Sequence, residues 1–236
     1  MSYSPIATKR IIRDVTNAMS TSAATLATAG IYYKADESNV YHGTALLIGP
    51  KDTPYFGGYY FFSVDFPEDY PFAPIKVKSL TQDGATRFNP NMYVDGKVCL
   101  SILNTWHDGP QWSGVQSLES VLLVIMSDVL HGNPIINEPA YRSFKVDNPD
   151  SIVYNRIIWH SNLLTAIYEM MKTPPRFAKE FKEIIHEHFL KNYDALIARA
   201  TESTSVDGTT ETSRIYRMMI KYNFGNLVEK LKSLKS

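Results

Sequence analysis

The run Phe66-Pro67-Glu68-Asp69-Tyr70-Pro71-Phe72-Ala73-Pro74 crowds three prolines into one corner of the chain. Each proline fixes φ, removes a backbone donor and pushes the preceding residue into an extended conformation, so no helix can pass through. Upstream, Tyr60, Phe62, Val64 and Phe66 fall on one strand face while Ser63 and Asp65 fall on the other, the pattern of a half-buried strand. Val40 to Ile48 reads as another strand, closed by Gly49-Pro50, and the turn continues through Lys51 to Tyr55 before Gly57-Gly58. Ile75 to Leu80 can form a short third strand. Short connections between such strands favour an antiparallel meander.

Helical signals flank this sheet. Ser4-Pro5 offers a capping residue and a proline at the first helical position, with Ile6, Arg10, Ile11, Asp14 and Val15 continuing an amphipathic pattern. Ser113-Gly114-Val115-Gln116 matches a capping box, and Leu118, Val121, Leu122, Ile125 and Val129 recur at helical spacing up to His131-Gly132-Asn133-Pro134. Asn148-Pro149 opens a further helix, with a stripe of Val153, Ile157, Leu164, Ile167 and Met171 ending at Thr173-Pro174-Pro175. Phe177, Phe181, Ile184, Ile185 and Phe189 mark another. Thr201 to Ser213 is polar and poor in hydrophobes, which predicts a linker or flexible loop. In the basic tail beyond it, Leu227, Val228, Leu231 and Leu234 share a stripe suited to docking on the chain's own domain.

With 236 residues, 44% hydrophobic and 20% charged, the chain is sized for one well-packed domain with appendages or for two small ones. Lys+Arg and Asp+Glu balance at 24 each, so global charge steers it toward neither nucleic acid nor membrane. The longest apolar run, Val121 to Met126, is far too short to span a bilayer, and the opening residues lack the apolar core of a signal peptide. A single cysteine excludes an intrachain disulfide framework and fits a cytoplasmic or nuclear setting.

That cysteine, Cys99, follows a turn at Asp95-Gly96-Lys97 and is flanked by Val98, Leu100, Ile102 and Leu103, which places the thiol at the edge of packed structure. Free cysteines commonly serve as small buried hydrophobes. With no second thiol and no thiol cluster, the chemistry open to Cys99 is nucleophilic attack or carriage of an acyl group. It sits in the long irregular stretch beyond Leu80, and such stretches inside a domain are usually functional.

Tyr55-Phe56-Gly57-Gly58, the proline corner, Asn89-Pro90-Asn91, the Gly96–Leu103 strip and Trp112-Ser113 stand in the order and spacing of ubiquitin-conjugating enzymes. Over roughly residues 5 to 145 the chain resembles that family. Phe88-Asn89-Pro90-Asn91, the insert Asn104–Gln111 and Asn137-Glu138-Pro139 are more similar to its Z-type branch than to the minimal enzymes. The resemblance implies an α+β fold: an N-terminal helix, a four-stranded antiparallel meander, an active-site loop and C-terminal helices. Residues 1–175 would form the conjugating core and 176–236 a helical extension with its polar linker near 201–213.

The resemblance also implies a reaction. Ubiquitin or a ubiquitin-like modifier arrives from an activating enzyme, rests as a thioester on Cys99, and passes to a substrate lysine or a ligase cysteine. No cofactor is bound, since ATP is consumed by the activating enzyme. Asn91, eight residues before Cys99, would be the side-chain amide that donates to the oxyanion; an asparagine bonding its own loop is the alternative. Asn137 and Glu138 would border the site, Glu138 favoured for its charge. Lys9, Arg10 and Arg13 would face the activating enzyme, and Phe72, Trp112 and Ser113 the ligase, although for Tyr70 and Trp112 packing at the base of the loops is the preferred reading. The family's usual tripeptide is His-Pro-Asn; here Asn89 stands for the histidine and would organise the loop through amide hydrogen bonds.

Two other classes remain open. A module of the same fold could hold ubiquitin without transferring it, though Cys99 and Asn91 together argue against that. A cysteine protease would need a base from among His42, His107, His131, His160, His186 and His188, yet no nucleophile-on-helix signature accompanies the thiol.

Overall fold

Ser4 accepts the Ala7 N–H at 3.1 Å and Pro5 occupies the first turn, so helix α1 (Pro5–Thr16) begins where the sequence signals place it. The computed structural model describes residues 3–235; Met1 and Ser2, the first residues of the stretch read for a leader, lie outside the described residues. α1 buries Ala7, Ile11 and Val15 and also Asp14, whose carboxylate takes Arg10 Nε at 2.9 and 3.1 Å and the Tyr70 hydroxyl. A wide turn (Asn17–Thr21) and a short helix α2 (Ala23–Thr28) lead into the sheet.

Four antiparallel strands follow in the order β1 (Ile31–Asp36), β2 (Asn39–Ile48), β3 (Tyr59–Asp65) and β4 (Lys76–Ser79). Ala45 lies opposite Tyr33 in β1 and Phe62 in β3, and Val64 lies opposite Val77 in β4. The turn between β2 and β3 is tight: a Cβ on Gly49 would sit 1.8 Å from the Tyr55 carbonyl oxygen, so only glycine fits there.

β3 departs from the half-buried pattern. Tyr59, Tyr60, Phe61 and Phe62 are all buried. Tyr60 donates to Asn162 Oδ1 at 2.7 Å and meets Phe88 edge-on. On the opposite face Phe61 packs on Phe177 and Phe181, and Tyr59 donates to the Ile185 carbonyl at 3.0 Å. Residues after Pro175 thus cover the face that alternation assigns to solvent.

The core helix α3 (Leu118–Val124) starts later than expected. Gln116 Oε1 does accept the Ser113 N–H at 2.9 Å, but that pair closes a turn; the helix is capped by Ser117 with Ser120 reciprocating. A wide turn (Ile125–Val129) extends it. After two short 3-10 turns, Pro134–Asn137 and Pro139–Tyr141, come α4 (Pro149–Ser161), a second wide-turn segment (Asn162–Glu169) and α5 (Met170–Lys172). The wide turns shift the helical register, and Tyr154, Ile157, Ile158, Trp159 and His160 are all buried, so the single predicted stripe becomes a helix covered on several sides.

A 3-10 segment (Arg176–Phe181) and α6 (Lys182–Glu202) precede a hairpin, β5 (Thr210–Thr212) with β6 (Met219–Lys221), and α7 (Phe224–Lys232). The expectation of a flexible linker at 201–213 is corrected here. Helix α6 runs through Glu202, Glu211 takes Arg156 Nη1 at 2.5 Å and the Tyr222 hydroxyl at 2.7 Å, and Asp207 accepts the first N–H groups of α7. Glu211 and Asp207 hold this polar stretch through partners elsewhere in the chain. The tail docks on its own chain: Phe224, Leu227, Val228 and Leu231 are buried, each worth roughly 1.5–3 kcal/mol. One continuous buried cluster runs from Ile11 to Leu231 across the Thr173–Pro175 break.

Candidate active site

Cys99 is held by a backbone lattice rather than by a helix. Tyr93 and Gly96 close a tight turn, the Ser79 N–H donates to the Gly96 carbonyl at 2.8 Å, and Met92 bridges Val98. Gly96 has φ +89, and a Cβ there would lie 2.7 Å from Ser79 O, so this close approach of the strip to β4 requires glycine. Beyond the cysteine, Thr105 Oγ1 accepts the Leu100 N–H and donates to Val98 O, both at 2.9 Å.

Asn91 and Cys99 are paired in both directions. The Cys99 N–H donates to Asn91 O at 2.9 Å, and Asn91 Nδ2 donates to Cys99 O at 2.5 Å. Asn89 holds Asn91 in place: fully buried, it accepts the Asn91 N–H at 2.7 Å and donates to Val129 O at 2.8 Å. It also reaches the Tyr55 hydroxyl at 3.3 Å. The amide network expected of Asn89 is therefore present, anchored at the end of the core helix.

The thiol is more enclosed than its place at the edge of packed structure suggested: Cys99 is only 3% exposed. Next to the strip, at Leu100 and Ser101, lies a cavity of about 250 Å³ also lined by Asn91, Trp106, Asp128, Ile136 and Asn137, among others. Asp108 and Arg142, an ion pair between half-exposed side chains, also line it and join the 104–111 insert to the chain after Glu138. The Asp108 carboxyl is held below its ordinary range by the Arg142 hydrogen bond and charge.

Asn137 lines this cavity. Its Nδ2 donates to Asp128 O at 2.7 Å and Asn89 Oδ1 at 3.2 Å, and its Oδ1 meets His131 Nε2 at 3.0 Å. Since His131 Nδ1 accepts the Asn133 N–H at 3.2 Å, Nε2 carries the proton. The preference for Glu138 as the acid at this site is corrected: Glu138 does not line the cavity, and its Oε2 accepts the Tyr216 hydroxyl at 2.6 Å. Asp128, which sequence reasoning missed, supplies a carboxylate on the cavity wall. Its place near the end of the core helix, three residues before the predicted stop signals at His131, was the available clue.

Tyr216 comes from the turn between β5 and β6. Arg87 is sandwiched between its ring and that of Tyr93, at 4.0 and 3.7 Å, and Arg87 Nη2 donates to Pro90 O at 2.7 Å. Burial first, then the bond to Glu138, raises the Tyr216 phenol above its usual range. Tyr216 and Arg217 both lie at positive φ, +59 and +50, a conformation that costs non-glycine residues of order 1–3 kcal/mol each.

Of the expected partner residues, Lys9, Arg13, Phe72 and Ser113 are exposed, Phe72 by 82%. Arg10 is corrected: its guanidinium turns inward to Asp14 and to the carbonyls of Gly114 and Gln116, tying α1 to the loop before α3. Trp112 takes the packing role preferred for it over a ligase-facing one, half-buried beside Tyr70 and donating to Pro71 O at 2.8 Å. His160 is a core histidine bonded to Asn223. No cluster of potential metal ligands occurs among the described residues, and no helix among them is long and apolar enough to cross a membrane.

A family model described as "Ubiquitin-conjugating enzyme" matches residues 10–151. Among curated proteins, the chain is 34% identical over 206 residues to ubiquitin-conjugating enzyme E2 Z of Xenopus tropicalis, covering 87% of this chain and 65% of that one. It is 38% identical over 182 residues to the Homo sapiens protein of the same name, covering 77% and 51%. To the probable ubiquitin-conjugating enzyme protein 17 of Caenorhabditis elegans it is 39% identical, covering 82% and 27%. The chain therefore spans less than two thirds of these relatives' own lengths. Among solved structures, the E2 domain of a Toxoplasma gondii ubiquitin conjugating enzyme superposes with a TM-score of 0.50 at 21% identity, covering 67% of this chain and 98% of that domain, which shows the shared fold. With the matched segment enclosing the Asn89–Cys99 lattice and the relatives extending the likeness into the C-terminal helices, the chain belongs to the ubiquitin-conjugating enzyme family, on its Z-type branch.

Proposed function

We propose that Cys99 accepts ubiquitin or a ubiquitin-like modifier from an activating enzyme as a thioester and passes it to a substrate lysine or a ligase cysteine. The observation that carries this reading is the reciprocal pairing of Asn91 with Cys99. An amide nitrogen has two hydrogens, and the Asn91 nitrogen donates one to Cys99 O. The other is available to the oxyanion that forms on the carbonyl oxygen of a thioester carried by Cys99. In transfer, an amine attacks the thioester carbonyl, the oxygen takes up the electron pair, the C–S bond breaks, and the thiolate leaves as the amide bond forms. The amine's proton must go to an acceptor, and Asp128 and Asn137 on the cavity wall border that approach. Lys9 and Arg13 on α1 would meet the activating enzyme, and Phe72 with Ser113 a ligase. A lone thiol suits the reducing cytoplasm or nucleus.

The deep placement of Cys99 favours one second reading, a module that binds ubiquitin without carrying it. Incubation with activating enzyme, ATP and ubiquitin separates the two. A reductant-sensitive adduct should form and be lost in Cys99→Ala, while Asn91→Ala should charge but discharge onto lysine about 10²–10³ more slowly. An adduct that resists reductant or forms without ATP refutes the carrier reading, and its absence supports the module.

A further inference from the structure

The turn joining β5 and β6 holds two consecutive non-glycine residues, Tyr216 and Arg217, at positive φ. Such a backbone persists only where its surroundings over-determine it, and these outliers cluster at functional positions. Here the surroundings are the active-site scaffold. Buried Ile215 and Met218 anchor the turn, and the Ser213 N–H donates to Met218 O at 2.8 Å.

From that base Tyr216 contacts two segments that each contribute a residue to the cavity lining, Asn91 from one and Asn137 from the other. Its hydroxyl fixes Glu138, the residue after cavity-lining Asn137. Its ring closes one face of Arg87, which carries a bond to the carbonyl of Pro90, between Asn89 and Asn91. Arg87 is gripped further: Tyr93 covers its other face, its N–H meets Met218 Sδ at 3.2 Å, and its carbonyl accepts the Tyr154 hydroxyl at 2.7 Å. A planar guanidinium between two rings is pre-organised in a way a lysine ammonium is not.

We propose that Tyr216 is a positioning residue for transfer, setting the spacing between the Asn89–Asn91 loop and the Asn137–Glu138 segment from the C-terminal hairpin. This rests on the carrier reading and deepens it: the hairpin acts on the step in which the acceptor enters, not on loading of the thiol. Tyr216 bonds Glu138 and stacks on Arg87, and its influence passes through these two residues.

The test uses the full chain, charged with ubiquitin, in single-turnover discharge at varied free lysine. Tyr216→Phe, which keeps the ring and loses the hydroxyl, should charge normally and lower the maximal discharge rate about 3- to 10-fold, with the half-saturating lysine concentration unchanged. Tyr216→Ala should lower it further, and Glu138→Gln, which still accepts a hydrogen bond, should restore most of what Glu138→Ala loses. Arg214→Ala, on the same turn but with an exposed side chain, should discharge like wild type. Unchanged discharge in both Tyr216 variants overturns the proposal, and so does an equal slowing in Arg214→Ala, which would mean general loosening. The side-chain amide NMR signals of Asn91 and Asn137 give a readout without transfer. They should move in Tyr216→Phe even if wild type forms no thioester, a result that would sink the carrier reading but not the coupling; unmoved signals refute the coupling.

Discussion

Replacing Asn89 with alanine removes a buried amide that serves four partners at once. Two of them keep other bonds: Asn137 still donates to Asp128 O, and Tyr55 still donates to Phe88 O at 2.6 Å. The Val129 carbonyl and the Asn91 N–H lose the shorter contacts, 2.8 and 2.7 Å. Asn89 is sealed from solvent, and each stranded buried group costs about 1–3 kcal/mol. The expected loss is about 3 kcal/mol, which in a chain of this size lowers the melting temperature by about 6–12 °C. Asn89→Asp keeps the acceptor for Asn91 but cannot donate to Val129, and it buries a charge, so it should lose stability while holding the loop better. Urea denaturation followed by lysine discharge of the charged protein reads both effects. If Asn89→Ala stays within 1 kcal/mol of wild type and discharges at the wild-type rate, the loop does not depend on this amide.

Two further outcomes follow from buried polar groups. Asp14→Ala strands Arg10, and removing one partner of a buried pair typically costs 3–5 kcal/mol. Because Arg10 keeps the carbonyls of Gly114 and Gln116, urea denaturation should show about 3 kcal/mol, with a smaller loss in Asp14→Asn. Burial lowers the pKa of His160 below its ordinary 6.5, and burial likewise lowers that of His188. Below pH 6.5 the unfolded chain therefore binds more protons than the folded one, so stability falls as pH drops through that range. The urea midpoint should decline between pH 7.5 and 5.5, with a shallower slope in His160→Gln; an equal slope in the variant would contradict the assignment.

Local chemistry was legible in the sequence wherever one residue type dictates one conformation. Ser4-Pro5 opens α1, the prolines of 67–74 break the chain after β3, and Gly96 brings the cysteine strip against β4. Residue-level patterns did not mark β1 or α2, and only the family resemblance supplied the fourth strand. β1 carries no clean alternation, since Tyr32, Lys34 and Ala35 are all partly buried. The capping box misled because Ser113 and Gln116 make half of the reciprocal bond in a turn, while the adjacent Ser117 wins the helix. Composition marked 201–213 as linker because it counts apolar residues and cannot see that Glu211 and Asp207 meet partners far along the chain. At the site, the Asn91–Cys99 spacing showed in the sequence, whereas Glu138 drew attention for its charge. Its partner, Tyr216, lies on a hairpin that no local pattern announced.

The covering of β3 by the chain after Pro175 has a consequence for what the sheet can offer other molecules. Along Tyr59 to Phe62 both sides are occupied from within, so a visitor finds neither water to displace nor side chains to grip. Accessible parts of the sheet lie at its edges: the far end of the strands, where His42 pairs with Asp65 near the surface, and β4, where Lys76 and Lys78 are exposed. Other molecules can meet the sheet only at its edges, and the aromatic middle is reserved for the chain itself.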